Sequence, residues 1–254
     1  MTNFGNKQGD KALYNLKICH LYPDALNMCG DSGNIIILKK RMEWRGYSVE
    51  VETVSMGETF DSSKYDIVLI GSGQNIEQDA LLKDLQTKKE DVKEAIENGV
   101  VFLCFGGGYQ ILGSHYINDK GEKIDLIGAL DFYTKEENRL VGDIIWETQV
   151  DGETIEIIGF ENHSGHTYLG ENVKPLGKVI KGNGNNGDGF EGARYKNAFC
   201  CYTHGPLFSK NPTLCDYILK IALERKYKGE KITLTPLDDV FETQAHNYMK
   251  TKLA

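Results

Sequence analysis

The sequence predicts an α/β chain: a mainly parallel, doubly wound sheet with helices on both faces and an antiparallel extension. Three observations carry this. "IVLI" at 67–70 and "VVFLCF" at 100–105 are unbroken apolar runs, as expected of strands covered on both sides. Helical patterns at 33–46 and 77–99 lie between strands and stop at glycine. Strand and helix patterns also alternate through the first half, the order that generates parallel pairing.

Element by element, "YNLKICHLY" (14–22) reads as a strand and "GNIIILKKRMEWRG" (33–46) as a helix. Basic residues near the end of that helix suit its dipole. "YSVEVETV" (47–54) alternates as a half-exposed strand. "YDIVLIGSG" (65–73) is an apolar strand entering a glycine loop, "EQDALLKDLQTKKEDVKEAIENG" (77–99) is helical, and "VVFLCF" (100–105) is the next buried strand. "GYQILG" opens a further helix. From 124 to 180 the pattern is of successive short strands, including "RLVGDIIWETQV" (139–150) and "TIEIIGFEN" (154–162). "KGNGNNGDGFEG" (181–192) reads as an exposed loop. "NAFCCYTHGPLF" (197–208) is a strand and turn, and "NPTLCDYILKIALERKYKG" (211–229) a capped helix with one apolar face. The expectation is one domain over 1–254, with a polar tail at 1–14. Residues 232–254 form an extension, either an amphipathic helix that docks a partner or a fraying end.

Composition excludes several functions. The formal charge of −8 argues against a protein that grips nucleic acid, although one placed Arg suffices for a small anion. No segment reaches the ~18 apolar residues of a membrane span. The polar start "MTNFGNKQGDKALYN" lacks a signal core, and the six cysteines contain no CxxC pair. Reduced thiols in a cytoplasmic protein fit best.

"LCFGGGYQILG" (103–113) has the strand–turn–helix form of a nucleophile elbow. A strained tip projects its side chain from the sheet, and the following amide, that of Gly107, faces a developing oxyanion. The alternative is a glycine-rich phosphate loop, but neither GxGxxG nor GxxxxGK[ST] is present. In "CYTHGPLF", His204 ends an apolar strand just before Gly-Pro. A turn there would present an imidazole base at the carboxyl edge of the sheet, where α/β sites gather.

"LYPDALNMCGDSGNIIILKKRMEWRG", "IVLIGSGQNIEQ", "LCFGGGYQILG", "RLVGDI", "GFENHSGHTYLG" and "YTHGPLFSKNP", spread from about residue 17 to about 212, resemble class I glutamine amidotransferases of the cobyric-acid-synthase type. Among these they look most like the GatD glutaminase subunits that partner MurT, a Mur-ligase-like subunit. The resemblance implies a flavodoxin-like sheet. In that family the elbow reads Cys-Gly-Gly, an aromatic residue and Gln. Here Gly106 stands at the nucleophile's place, followed by Gly107, Gly108, Tyr109 and Gln110.

Three explanations stand for Gly106: a deliberate Cys→Gly replacement, a natural loss leaving a binding subunit, or transfer of the role to Cys104. Cys104 lies inside the strand, ~6 Å short of the tip, and reads as a core thiol. With a thiol at 106, the resemblance implies His204 as base and the amides of Gly107 and Gly73 as oxyanion donors. Arg139 is the implied clamp on the glutamine carboxylate and Gln110 a further pocket residue. Glu161, Asn162 and His163 either border the pocket or order a loop. Many relatives carry Glu two residues after the His; Pro206 stands there instead, so the base works as a dyad or its acid comes from elsewhere, the partner included. His166 stands where Arg is commoner, and nothing firm follows from it.

The implied function is glutamine hydrolysis supplying ammonia to the partner, which amidates D-Glu to D-isoGln in lipid II. The chain itself is expected to be inactivated at Gly106. It carries no P-loop, so no cofactor is expected here and ATP and Mg fall to the partner. The competing readings are a catalytically dead subunit of that complex and an amidotransferase for a corrinoid-type acid.

Overall fold

Residues 13–73 and 79–253 are described in the computed structural model; most of the expected tail (1–12) and "QNIEQ" (74–78) lie outside them. The chain runs β1 (Asn15–Leu21), α1 (Ser32–Glu43), β2 (Ser48–Val54), β3 (Ile67–Ile70), α2 (Asp79–Thr87), α3 (Lys89–Glu97), β4 (Val101–Phe105) and α4 (Gly107–Gln110). It continues with β5 (His115–Ile117), β6 (Lys123–Asp125), β7 (Phe132–Val150), β8 (Glu153–Leu169), β9 (Gly177–Lys181) and β10 (Phe190–Glu191). The last elements are β11 (Ala193–Tyr195), β12 (Ala198–Cys201), β13 (Thr203–His204), α5 (Pro212–Lys226) and α6 (Val240–Leu253).

Parallel strands in the order β2-β1-β3-β4-β12 form the main sheet, with β11 antiparallel at the edge. Alternate residues serve opposite faces. Cys19, Leu21, Val68, Ile70, Phe102 and Cys104 pack towards α2 and α3 with Leu85, Val92 and Ile96. Ile18, Ile67, Leu69, Val101 and Leu103 pack towards α1 and α5 with Leu38, Met42, Ile218 and Leu219. Both faces are thus dry, which is why these strands read as continuous apolar runs; each fully buried side chain contributes ~1.5–3 kcal/mol.

The expected extension is a second sheet. Its spine is the hairpin β7–β8, paired from Phe132↔Leu169 to Val150↔Glu153 with one register shift between Glu136 and Leu140. The expectation of successive short strands is corrected here. The charged run "KEENR" resembles a turn in sequence, but it is a bulge within one strand of 19 residues. Two helices are corrected as well. The 77–99 pattern divides at Lys88, whose buried ammonium pairs with Asp84 and lies over the Tyr22 ring. The helix after the elbow, α4, is a single turn.

The C-terminal extension forms helix α6, not a fraying end. Leu253 and Met249 pack against Ile145 and Ile158, Lys250 pairs with Glu156, and His246 bonds to the Lys210 carbonyl. Arg41, 1% exposed, ties this region to the core by bonding Asp216 of α5 and Asp239 just before α6.

Candidate active site

The carboxyl ends of β1, β3, β4 and β12 meet around a cavity of about 460 Å³. This is where a sheet of this winding changes direction and where its ligands bind. Gly106 has φ 49° and ψ −112°, a conformation that glycine tolerates and that an elbow imposes on its tip. Gly108 seals the turn from below, since a Cβ there would lie 2.4 Å from the Ile70 carbonyl oxygen. A Cβ built on Gly106 points at the wall of the cavity, 3.0 Å from Ser72 Oγ and 3.2 Å from His204 Cε1. A thiol at the tip would therefore have reached the imidazole. Cys104 is fully buried beside Cys200 in the core and is not part of the cavity wall.

His204 comes from the short strand β13, which pairs with β8. The residues before it are anchored: the buried Glu191 carboxyl accepts bonds from the amides of Tyr202 and Thr203, and Trp146 Nε1 donates to Thr203 Oγ1. The ring is 6% exposed, less open than its place before Gly-Pro suggests. Its Nδ1 shares a hydrogen bond with Ser72 Oγ at 3.0 Å and lies 3.9 Å from Asp31 Oδ1. Burial alone would lower its pKa, but Asp31 and Cys29 raise it to about 9. Asp31 is fully buried, and its Oδ2 accepts the Ser72 amide at 2.6 Å. Desolvation works against its charge, yet His204 and the Ser72 amide keep its pKa below the ordinary carboxylate value. A carboxylate facing the His204 imidazole thus lies within the chain, although Pro206 supplies none.

The other expected residues gather around the same space. Gly73, Gly107, Gln110 and Arg139 all line the cavity, as do Asn162 and His163. Arg139 sits on the β7 bulge, where its Nε donates to Asn162 Oδ1 at 2.7 Å. Gln110 Nε2 donates to the Tyr202 hydroxyl, and the His163 ring stacks on Tyr202 at 3.7 Å. Glu161 has the loop-ordering role: its Oε1 accepts the Asn183 amide and its Oε2 the Gly184 amide. It folds part of the 181–192 loop inward, and Asn185 is fully buried. His166 bonds to the Asn138 carbonyl and is not part of the cavity wall.

Sequence reading missed Cys29, Asp31 and Ser72, which complete the surroundings of His204. The only signal was topological: each follows β1 or β3, so a parallel sheet brings it to the same edge as the elbow.

Residues 17–212 match the model of the CobB/CobQ-like glutamine amidotransferase domain. The chain is 40% identical to the lipid II isoglutaminyl synthase (glutamine-hydrolyzing) subunit GatD of Streptococcus pneumoniae, over 99% of this chain and 96% of that protein. The Staphylococcus aureus subunit of the same name is 41% identical over 92% and 94%. Cobyric acid synthase of Clostridium botulinum is 31% identical over 62% of this chain but only 33% of its own length. The glutaminase domain of Trypanosoma brucei CTPS, solved with acivicin, shares the fold at a TM-score of 0.52 and 9% identity, covering 87% of this chain and 96% of that one. The chain belongs to the CobB/CobQ-like glutamine amidotransferase family.

Proposed function

We propose that this chain is the glutamine-handling subunit of a lipid II isoglutaminyl synthase. Its partner is a Mur-ligase-like subunit of the MurT type that binds ATP and magnesium and activates the D-Glu carboxyl of lipid II. Ammonia from the glutamine side chain then converts D-Glu to D-isoGln, and the cytoplasm is the proposed compartment. The observation that carries the reading is the convergence of His204, Gly107 and Arg139 on one cavity. That set meets the three needs of the substrate: a base, a donor for an amide oxyanion, and a guanidinium for the α-carboxylate. The near full-length match to the two GatD subunits supports this over a corrinoid acid.

Gly106 removes the elbow's own chemistry, because no thioester forms on a residue without a side chain. A purely binding subunit is the second reading, and Gly106 is the observation in its favour. Purified complex supplied with lipid II and ATP tests both. The primary reading expects amidation with glutamine as sole nitrogen source. Amidation with ammonium chloride only identifies a binding subunit, and none with either source rejects both readings.

A further inference from the structure

We propose that Cys29, in the loop after β1, is the nucleophile of this site and replaces the thiol missing from the elbow. This rests on the reading of the cavity as a glutamine site.

Among the described residues, Cys29 is the cysteine that lines the cavity, and it is exposed there, whereas the other five are buried. The loop carrying it is tied to the site: the Met28 amide donates to the Ser72 carbonyl at 2.8 Å, and Asp31 accepts the Ser72 amide. These bonds bring four side chains, those of Cys29, Ser72, Asp31 and His204, to one spot. The thiol shares the cavity wall with His204, which holds its pKa below the ordinary thiol value against burial and the charge of Asp31. A second observation is independent of the thiol. Asp31 Oδ1 is buried without a hydrogen-bond partner and lies 3.9 Å from the imidazole, so a carboxylate oxygen whose nearest cationic partner is this ring stands behind it. That arrangement favours imidazolium, the state His204 reaches by taking a proton from Cys29.

Ser72 is the competitor, since its hydroxyl also meets His204. It is only 5% exposed, and its amide is tied to Asp31, so it belongs to the cavity wall. A hydroxyl also stays protonated where a thiol beside a base ionises. Ser72 and Asp31 are positioning residues.

The reaction balances with glutamine and water alone. The Cys29 proton passes to His204, and the sulfur attacks the side-chain amide carbon of glutamine. His204 returns the proton to the departing nitrogen, the C–N bond breaks, and ammonia leaves a thioester on Cys29. Water, deprotonated by His204, adds to the acyl carbon; the C–S bond breaks, glutamate leaves, and the thiol recovers its proton.

The test uses the full chain, alone and with its ligase subunit, and a glutamine analogue bearing a diazoketone in place of the amide. Peptide mass mapping should find the adduct on Cys29. Cys29→Ala should abolish both the adduct and glutamate release, by ~10³-fold or more, while L-glutamine still binds by calorimetry. The double variant Cys29→Ala with Gly106→Cys should recover release, as the base, clamp and oxyanion donors are untouched. An adduct on Ser72 or Cys104, no adduct at all, or glutamate release unchanged in Cys29→Ala overturns the assignment. Loss of glutamine binding by the unmodified complex instead rejects the reading of the cavity.

Discussion

The turn after β4 and the loop after β1 border the same cavity, and each lacks what the other has. The turn keeps the backbone of an elbow, with Gly106 at φ 49° and Gly107 leading into α4, but offers no reactive atom. The loop offers the Cys29 thiol, and its neighbour Asp31 has an ordinary helical conformation at φ −62°. With Cys29 as the proposed nucleophile, elbow strain is separable from nucleophilicity. The strained turn sets Gly107 in the same cavity wall as His204 whatever occupies its tip, and on the proposed assignment the reactive atom approaches from another loop at the same sheet edge. His204 favours the Cys29 thiolate against burial and the charge of Asp31, and none of these groups belongs to the turn.

The largest expected effect breaks what the two regions share. His204→Gln removes the base that serves either nucleophile, and glutamate release should fall by ~10²–10⁴-fold with glutamine still bound. Activity within a few-fold of the parent would show that neither region works through this ring. Arg139 lies opposite both regions on the β7 bulge. Arg139→Ala should raise the KM for glutamine by ~10–100-fold, the worth of a charge-assisted contact, with kcat little changed. A fall in kcat at unaltered KM would place the substrate carboxylate elsewhere.

Gly106→Cys sharpens the comparison directly. It returns a thiol to within reach of His204 but forces a non-glycine residue to positive φ, with Cβ 3.0 Å from Ser72 Oγ. Urea unfolding should show a loss of ~1–3 kcal/mol together with a gain in glutamate release. Unchanged stability would mean that the turn relaxes and is not a strained elbow. The smallest effect concerns pH. His204 has a pKa of about 9 in the fold, against ~6.5 unfolded. Because the folded value is the higher one, its stabilisation is complete below pH ~6.5 and is lost as pH rises through about 9. The melting temperature should fall between these limits more steeply in the parent than in His204→Gln. Parallel profiles would show that Asp31 and Cys29 do not hold the ring charged.

The main sheet was largely legible because its strands are dry on both faces, so the runs at 67–70 and 100–105 identify themselves. The β7–β8 hairpin was not, because one of its faces is partly wet and a charged bulge at 135–139 imitates a turn. The site divided similarly. Gly106, Gly107, His204 and Arg139 stood out through motif and resemblance, and the structure brings them to one cavity. The carboxylate behind His204 escaped notice, since it lies 173 positions away in sequence and a sequence-neighbour search stops at Pro206.

The sequence by itself determined the fold class, the family motifs and the glycine at the tip of the strand–turn–helix, because these are written in local pattern and residue identity. Only the tertiary structure decided which thiol, hydroxyl and carboxylate surround the imidazole. Parallel strands separated by long crossovers carry their carboxyl ends to one edge, and that proximity, which spacing along the chain does not encode, sets the ionisation of Cys29, Asp31 and His204.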